Sequence, residues 1–211
     1  MARKKRLRFA ALKTMVNVVE ERQCEPGWFD TFYGPQTFVV LELGCGHGDY
    51  TLALARSRPE HGVLGVDRNG ARLWKGAEQA LAEGLTNACF LRAQVEHLED
   101  HIPSGRVSEI WLPFPDPLPK NRQADRRLPS PSFLERYRRM LRPGGAVHLK
   151  TDDADLVAYA EQAVQTVGGR ILQGVDLLPC EAGTPLAVQT TYEKRYRQEG
   201  RSIYARTFCL G

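Results

Sequence analysis

Nowhere does the 211-residue sequence run apolar for the length a bilayer demands, so no membrane-spanning helix is expected. Its start, Met-Ala-Arg-Lys-Lys-Arg-Leu-Arg, imitates the basic first region of a signal peptide, but Lys13, Asn17, Glu20 and Glu21 interrupt the apolar core that should follow, which argues against secretion. Cysteine is scarce and unpaired. Cys24, Cys45, Cys89, Cys180 and Cys209 are odd in number, scattered, and without metal-ligand spacing, a usage that suits a reducing cytoplasm better than a disulfide scaffold. Histidine offers no metal set either: His47, His61, His97, His101 and His148 lack ligand spacing. His97 and His101 stand four apart with no third ligand nearby and read as ordinary surface histidines, so no metal is expected. There is no internal repeat, no long low-complexity segment and no shift in composition that would mark a second domain.

What remains, 42% hydrophobic and 26% charged residues, is enough for one well-cored α/β domain over residues 36–211, behind a basic extension of residues 1–35. That domain is organised around Phe-Val-Val-Leu-Glu-Leu-Gly-Cys-Gly-His-Gly-Asp-Tyr, residues 38–50. The short, continuously apolar run is the pattern of a central parallel strand covered on both faces, and Glu42 is its one charge. Gly44, Gly46 and Gly48 let the chain bend sharply and approach a ligand, and the helix that follows would aim its first N–H groups at it. A second strand ends at Asp67, whose carboxylate has the place and the chemistry to accept hydrogen bonds from both hydroxyls of a ribose. The plainer alternative is a tight turn with Asp67 capping the next helix. Glu42 and Asp67 together favour the ligand.

The spacing G-x-G-x-G, with an acid two residues before the first glycine, differs from the dinucleotide fingerprint G-x-G-x-x-G. It resembles motif I of class I S-adenosylmethionine (SAM) methyltransferases. That resemblance implies that Glu42 helps hold the methionine end of SAM and that Asp67 binds its ribose.

Further along, strand and helix alternate. Residues 49–57 read as helix, 62–67 as strand, 70–83 as helix, 87–91 as strand, 107–112 as strand, 146–150 as strand and 155–167 as helix; residues 9–22 give a weaker helical pattern. Ser132 with Glu135 fits a capping box for a helix carrying Phe133, Leu134, Tyr137, Met140 and Leu141 on one face. Residues 176–185 read as an irregular excursion, and residues 202–209 as a last, antiparallel strand. Such alternation builds a mostly parallel sheet through right-handed crossovers. The strand at 107–112 runs into Pro113-Phe114-Pro115-Asp116-Pro117-Leu118-Pro119-Lys120, where alternate prolines stiffen the loop and remove backbone donors. Asp116 is presented there, at the carboxyl end of a strand, either to a ligand or simply to solvent.

The net charge of +4 is modest, but basic residues crowd two places: Arg3, Lys4, Lys5, Arg6 and Arg8, then Lys120, Arg122, Arg126, Arg127, Arg136, Arg138 and Arg139. One cluster alone would pass for a solvated tail. Two favour a polyanionic partner such as RNA.

The run Phe114-Pro115-Asp116-Pro117-x-Pro119-Lys120, then Arg126-Arg127-Leu128, Gly144-Gly145 and Lys150-Thr151-Asp152, resembles the bacterial tRNA (guanine-N7-)-methyltransferase family, as does Thr190-Thr191-Tyr192-Glu193 with Arg195 and Gly200. The likeness implies a Rossmann-like class I methyltransferase fold with a seven-stranded, mostly parallel sheet, helices on both faces and a final antiparallel strand. It implies SAM as co-substrate, tRNA as partner, no membrane, a cytoplasmic monomer or homodimer, and methylation of N7 of a variable-loop guanosine. Carried over residue by residue, Glu42, Gly44, Gly46, Asp67, Gln94 and Asp116 would line the SAM side. Asp116 would be the central catalytic residue, and Lys120, Asp152, Thr190, Thr191, Tyr192, Glu193 and Arg195 would contact the target guanosine or its backbone. Three places depart from the family: Leu118 stands for tryptophan, Gln123-Ala124 for a histidine and another basic residue, and Ala93-Gln94 for an aspartate near the adenine. An enzyme methylating an exocyclic amine would carry Asn/Asp-Pro-Pro-aromatic at this loop, where the chain has Asp116-Pro117-Leu118-Pro119. An idle RNA-binding relative would have little use for Glu42, Asp67 and Asp116 together.

Overall fold

The computed structural model describes residues 8–176 and 185–211. Arg3, Lys4, Lys5 and Arg6, Cys180, and most of the excursion expected over residues 176–185 lie outside them. The chain divides into two compact units, residues 1–103 and 104–211.

In the first unit four strands lie parallel in the order β1 (Val18–Glu20), β4 (Ala88–Arg92), β3 (Gly62–Val66), β2 (Val39–Leu43). Every residue of β2 and β3 is buried, the signature of central strands covered on both faces. Between them run α1 (Trp28–Tyr33), α2 (Asp49–Ser57) and α3 (Gly70–Ala82). Asn69 starts α3 by accepting the Ala71 N–H, and Leu73, Ala77 and Ala80 fill its buried face, as the apolar spacing requires.

The helix expected over residues 9–22 is a correction: helical geometry stops at Leu12 and β1 follows. β-Branched Val18 and Val19 favour extended backbone, and their registry with Phe90 and Leu91 gives the strand a ladder that no local pattern reveals. Asn17 fixes the entry, since its side chain donates to Ala77 O and its carbonyl accepts the Phe90 N–H. His97 is exposed, as a surface histidine should be, and His101 is more covered. Both face Glu21, at 2.5 and 3.9 Å, and tie the short 3-10 helix Val95–Asp100 to the segment after β1.

The second unit orders its strands β5 (Val107–Pro113), β6 (Leu141–Thr151), β8 (Tyr204–Cys209), β7 (Arg170–Asp176), with α4 (Pro131–Met140), α5 (Ala154–Thr166) and α6 (Thr191–Gln198). β5 and β6 are parallel; β8 is antiparallel to both of its neighbours. α4 buries Phe133, Leu134, Tyr137 and Met140, the expected face, but Leu141 begins β6 instead of closing the helix. The capping box expected at Ser132 and Glu135 is also corrected. Ser130 is the N-cap residue, Pro131 takes the first helical position, and Glu135 pairs with Arg138. Among the described residues each unit contributes four strands, β1-β4-β3-β2 in the first and β5-β6-β8-β7 in the second, one strand more than the seven expected, the addition being β1.

Candidate active site

In the first unit, the turn after β2 is made by Gly44 (φ +73°) and Gly46 (φ +56°), left-handed conformations that cost other residues strain. Gly44 is exposed, and a Cβ built on it would meet nothing within 4 Å, so the turn is open on that side. The Gly46 N–H donates to Asp67 Oδ2 at 2.9 Å, and the Asn69 N–H to Asp67 Oδ1 at 2.6 Å. Asp67 therefore orders the glycine turn and the start of α3 at once. Each of its oxygens has further lone-pair capacity, and the side chain is half-buried.

Glu42 lies beneath the turn and is 1% exposed. Its Oε2 accepts both the N–H and the hydroxyl of Thr51, at 2.7 and 2.5 Å, which pins the first turn of α2. Gly65, its register partner on β3, has to be glycine, because a Cβ there would come within 2.5 Å of the Thr51 hydroxyl. Burial pushes the Glu42 carboxyl up to about 8; Asp49 and Asp67 add to the shift and the Thr51 hydrogen bonds oppose it. Gln94 is exposed at the end of the turn after β4, with its N–H on Glu21 at 3.3 Å. The first unit thus gathers Glu42, Gly44, Gly46 and Asp67 closely around one turn, with Thr51 as the member that sequence reasoning missed.

In the second unit, Asp116 is exposed between two residues held at positive φ, Phe114 (+52°) and Leu118 (+44°). Left-handed backbone costs a non-glycine residue roughly 1–2 kcal/mol, so the surroundings must over-determine this loop. They do so at both ends. The Phe114 N–H donates to Lys150 O at 2.7 Å, and its ring packs on Tyr196 and the Ile203–Ala205 cluster. At the far end the Leu118 carbonyl accepts from Arg127 Nε and Nη2, at 3.2 and 3.1 Å. Lys120 is exposed two residues beyond.

Asp152 follows β6, and its Oδ2 meets Arg201 at 2.8 Å. The helix after it is capped by Asp153, whose Oδ1 accepts the Leu156 N–H, so the two neighbouring acids have separate work. Thr190 is the N-cap of α6 and accepts the Glu193 N–H at 3.1 Å; Thr191, Tyr192 and Arg195 are exposed on that helix. Arg195 stands over both Tyr192 and Tyr196, and Arg201 over Tyr196.

Glu193 differs from the expectation of a base contact. Its side chain is fully buried, with Oε2 2.7 Å from Lys150 Nζ and Oε1 2.8 Å from Arg197. Lys150 is equally buried and donates also to Leu186 O and Val188 O. The pair hangs the segment 186–193 on the end of β6. Lys150, Arg127 and Arg201 were not singled out as supports by the sequence, because their partners lie far along the chain.

A family model described as "Putative methyltransferase" matches residues 36–206. The tRNA (guanine-N(7)-)-methyltransferase of Christiangramia forsetii is 39% identical over 83% of this chain and 80% of its own length, and that of Cytophaga hutchinsonii is 36% identical over 96% of each. The chain belongs to the tRNA (guanine-N(7)-)-methyltransferase family. Its fold is shared more widely among methyltransferases. The crystal structure of the 16S rRNA methyltransferase KamB superposes with a TM-score of 0.67 at 19% identity, covering 90% of this chain and 97% of that one. A SAM-dependent methyltransferase from Aquifex aeolicus does so with a TM-score of 0.57 at 14% identity, covering 96% and 98%. Leu118 stands where the resemblance implies a tryptophan, yet the contact made there uses the main-chain carbonyl, which any residue supplies.

Proposed function

We propose that this protein transfers the methyl group of SAM to N7 of a guanosine in the variable loop of tRNA, in the cytoplasm and without a metal. The observation that carries the reading is the Asp116 loop, whose carboxylate is exposed between two strained residues, in a chain whose relatives bear this activity in their names.

The residues of the glycine turn fit SAM. Asp67 has lone pairs to spare for two ribose hydroxyls, Gly44 leaves open space, and Glu42 brings an acid beneath the turn to meet a cationic ligand. Gln94, exposed beyond β4, has an amide that suits an adenine edge. SAM supplies an electrophilic methyl on a sulfonium. Guanine N7 has an in-plane lone pair and no proton, so the protein is asked for alignment and charge stabilisation, not for a general base. Alignment of this kind contributes up to ~7–11 kcal/mol. Asp116 accepts from the Watson–Crick donors of guanine and offsets the positive charge that grows on the base. Asp152 and the exposed Thr191, Tyr192 and Arg195 receive the nucleoside. Lys120 neutralises a phosphate, and Glu193, held by Lys150, keeps α6 in place from beneath.

The test is methyl incorporation from labelled SAM into an unmodified tRNA and into the same tRNA with its variable-loop guanosine changed to adenosine, by wild type and Asp116→Ala. The expected result is 7-methylguanosine in the first tRNA only, lost with Asp116→Ala. Equal labelling of both tRNAs would refute the target position, and SAM binding without transfer to either would refute the substrate.

A further inference from the structure

Arg126 and Arg127 are adjacent in a basic run, and the charge pattern alone gives both to RNA. The fold separates them. Arg126 is exposed, whereas Arg127 is half-buried and turned inward. The edge of its guanidinium reaches the Leu118 carbonyl with two donors, Nε at 3.2 Å and Nη2 at 3.1 Å. Its face lies 4.3 Å from the ring of Tyr159 on α5. Tyr159 is itself fixed, for its hydroxyl donates to Ala124 O at 3.1 Å, and the same carbonyl accepts the Arg127 N–H at 3.0 Å. The guanidinium is therefore held on its face and by its own backbone, and points both donors at one loop carbonyl.

That carbonyl belongs to a residue under strain, Leu118 at φ +44°, two positions from Asp116. Pro113, Pro115, Pro117 and Pro119 have no N–H, and the Phe114 N–H is committed to Lys150 O. The loop has few hydrogen bonds of its own with which to keep a left-handed residue in place, and Arg127 supplies a two-donor clamp from outside it. A lysine would keep the charge but has no planar fork to lie on Tyr159 and direct two donors at once.

We propose that Arg127 is a positioning residue that fixes the Asp116 carboxylate by clamping the Leu118 carbonyl, and is not one of the RNA phosphate contacts. The consequence for catalysis rests on the methyltransferase reading above; the clamp itself does not.

The experiment compares wild type, Arg127→Lys, Arg127→Ala and Arg126→Ala in two measurements. The first is amide exchange in the peptide spanning residues 114–121, which needs no substrate. Exchange is expected to quicken about fivefold or more in both Arg127 variants and to stay as in wild type for Arg126→Ala, with exchange in β6 unchanged as the control for folding. The second is single-turnover methylation beside tRNA affinity at several salt concentrations. The Arg127 variants are expected to lose about 10- to 100-fold in kcat, as small misplacements of reacting groups do, with tRNA affinity within about twofold of wild type. Arg126→Ala should instead weaken tRNA binding and lower its salt slope by about 0.7–0.9, the loss of one phosphate contact. Unchanged loop exchange in Arg127→Lys and Arg127→Ala would overturn the clamp. So would a fall in affinity and salt slope with kcat intact, which would return Arg127 to the phosphate-binding set. If wild type methylates no tRNA, the function reading fails and the exchange measurement still decides the clamp.

Discussion

If SAM binds at the glycine turn, as proposed, its affinity should depend on the protonation of Glu42. Its folded-state value of about 8 lies above the ordinary 4.5, so between those values the folded protein keeps a proton that the unfolded chain has released. The stability that this proton contributes is complete below about 4.5 and is lost as pH rises through about 8. At pH 7 roughly nine-tenths of the unliganded protein would carry it. SAM brings a sulfonium and an ammonium, and a cation beside Glu42 favours the carboxylate. Binding should then expel a proton, and affinity should rise with pH across the same window. Titration calorimetry at pH 7 in buffers of different ionisation enthalpy is expected to show close to one proton released by wild type and none by Glu42→Gln. Equal release by both proteins would mean that SAM does not sense Glu42. The acid itself was legible, since it is the one charge in an apolar strand. Its attachment to Thr51 was not, because nothing in the spacing says which way a buried carboxylate turns.

α6 is an element whose position depends on a buried charge pair. Lys150 and Glu193 are both wholly buried, so removing Lys150 leaves the buried Glu193 carboxylate with Arg197 as its one remaining cation among the described residues. Lys150→Met is expected to destabilise by about 3–5 kcal/mol and to raise KM for tRNA through the displaced Thr190–Tyr192 turn, whereas adding Glu193→Leu should restore much of the stability. Denaturant unfolding checks the first point: a double variant no more stable than the single one would show that the loss came from packing instead of an unpaired charge. The elements that periodicity announces, β2, β3, α3 and the buried face of α4, appear where expected because their partners are their own neighbours in sequence. β1 was misread because three residues carry too little pattern to outweigh a helical start, and only pairing with β4 makes them a strand. The start of α4 was misread for a similar reason. Ser130 and Ser132 both suit an N-cap, and Pro131 at the first helical position decides between them.

For the whole molecule the formal charge of +4 says little about RNA, because many of the arginines serve the fold. Arg206 pairs with Glu161 and Asp176, Arg56 with Glu83, Arg138 with Glu135, and Arg127 holds Leu118. Lys120, Arg122 and Arg126, by contrast, are exposed close together in sequence beside the Asp116 loop, and these should be what a phosphate backbone meets. If these three supply the contacts, tRNA affinity should fall about 20- to 40-fold between 50 and 200 mM salt, from a slope of roughly 0.7–0.9 per contact. Each single alanine variant should remove one such increment from the slope, and Arg206→Ala should remove none, although it deletes the same formal charge. A filter-binding titration across that salt range separates the two models. If all four variants shift the slope alike, binding follows total charge. If none does, it is carried by basic residues elsewhere, the N-terminal Arg3, Lys4, Lys5 and Arg6 first among them. The expected pattern, three that count and one that does not, would show that the fold has already sorted the arginines between structure and substrate.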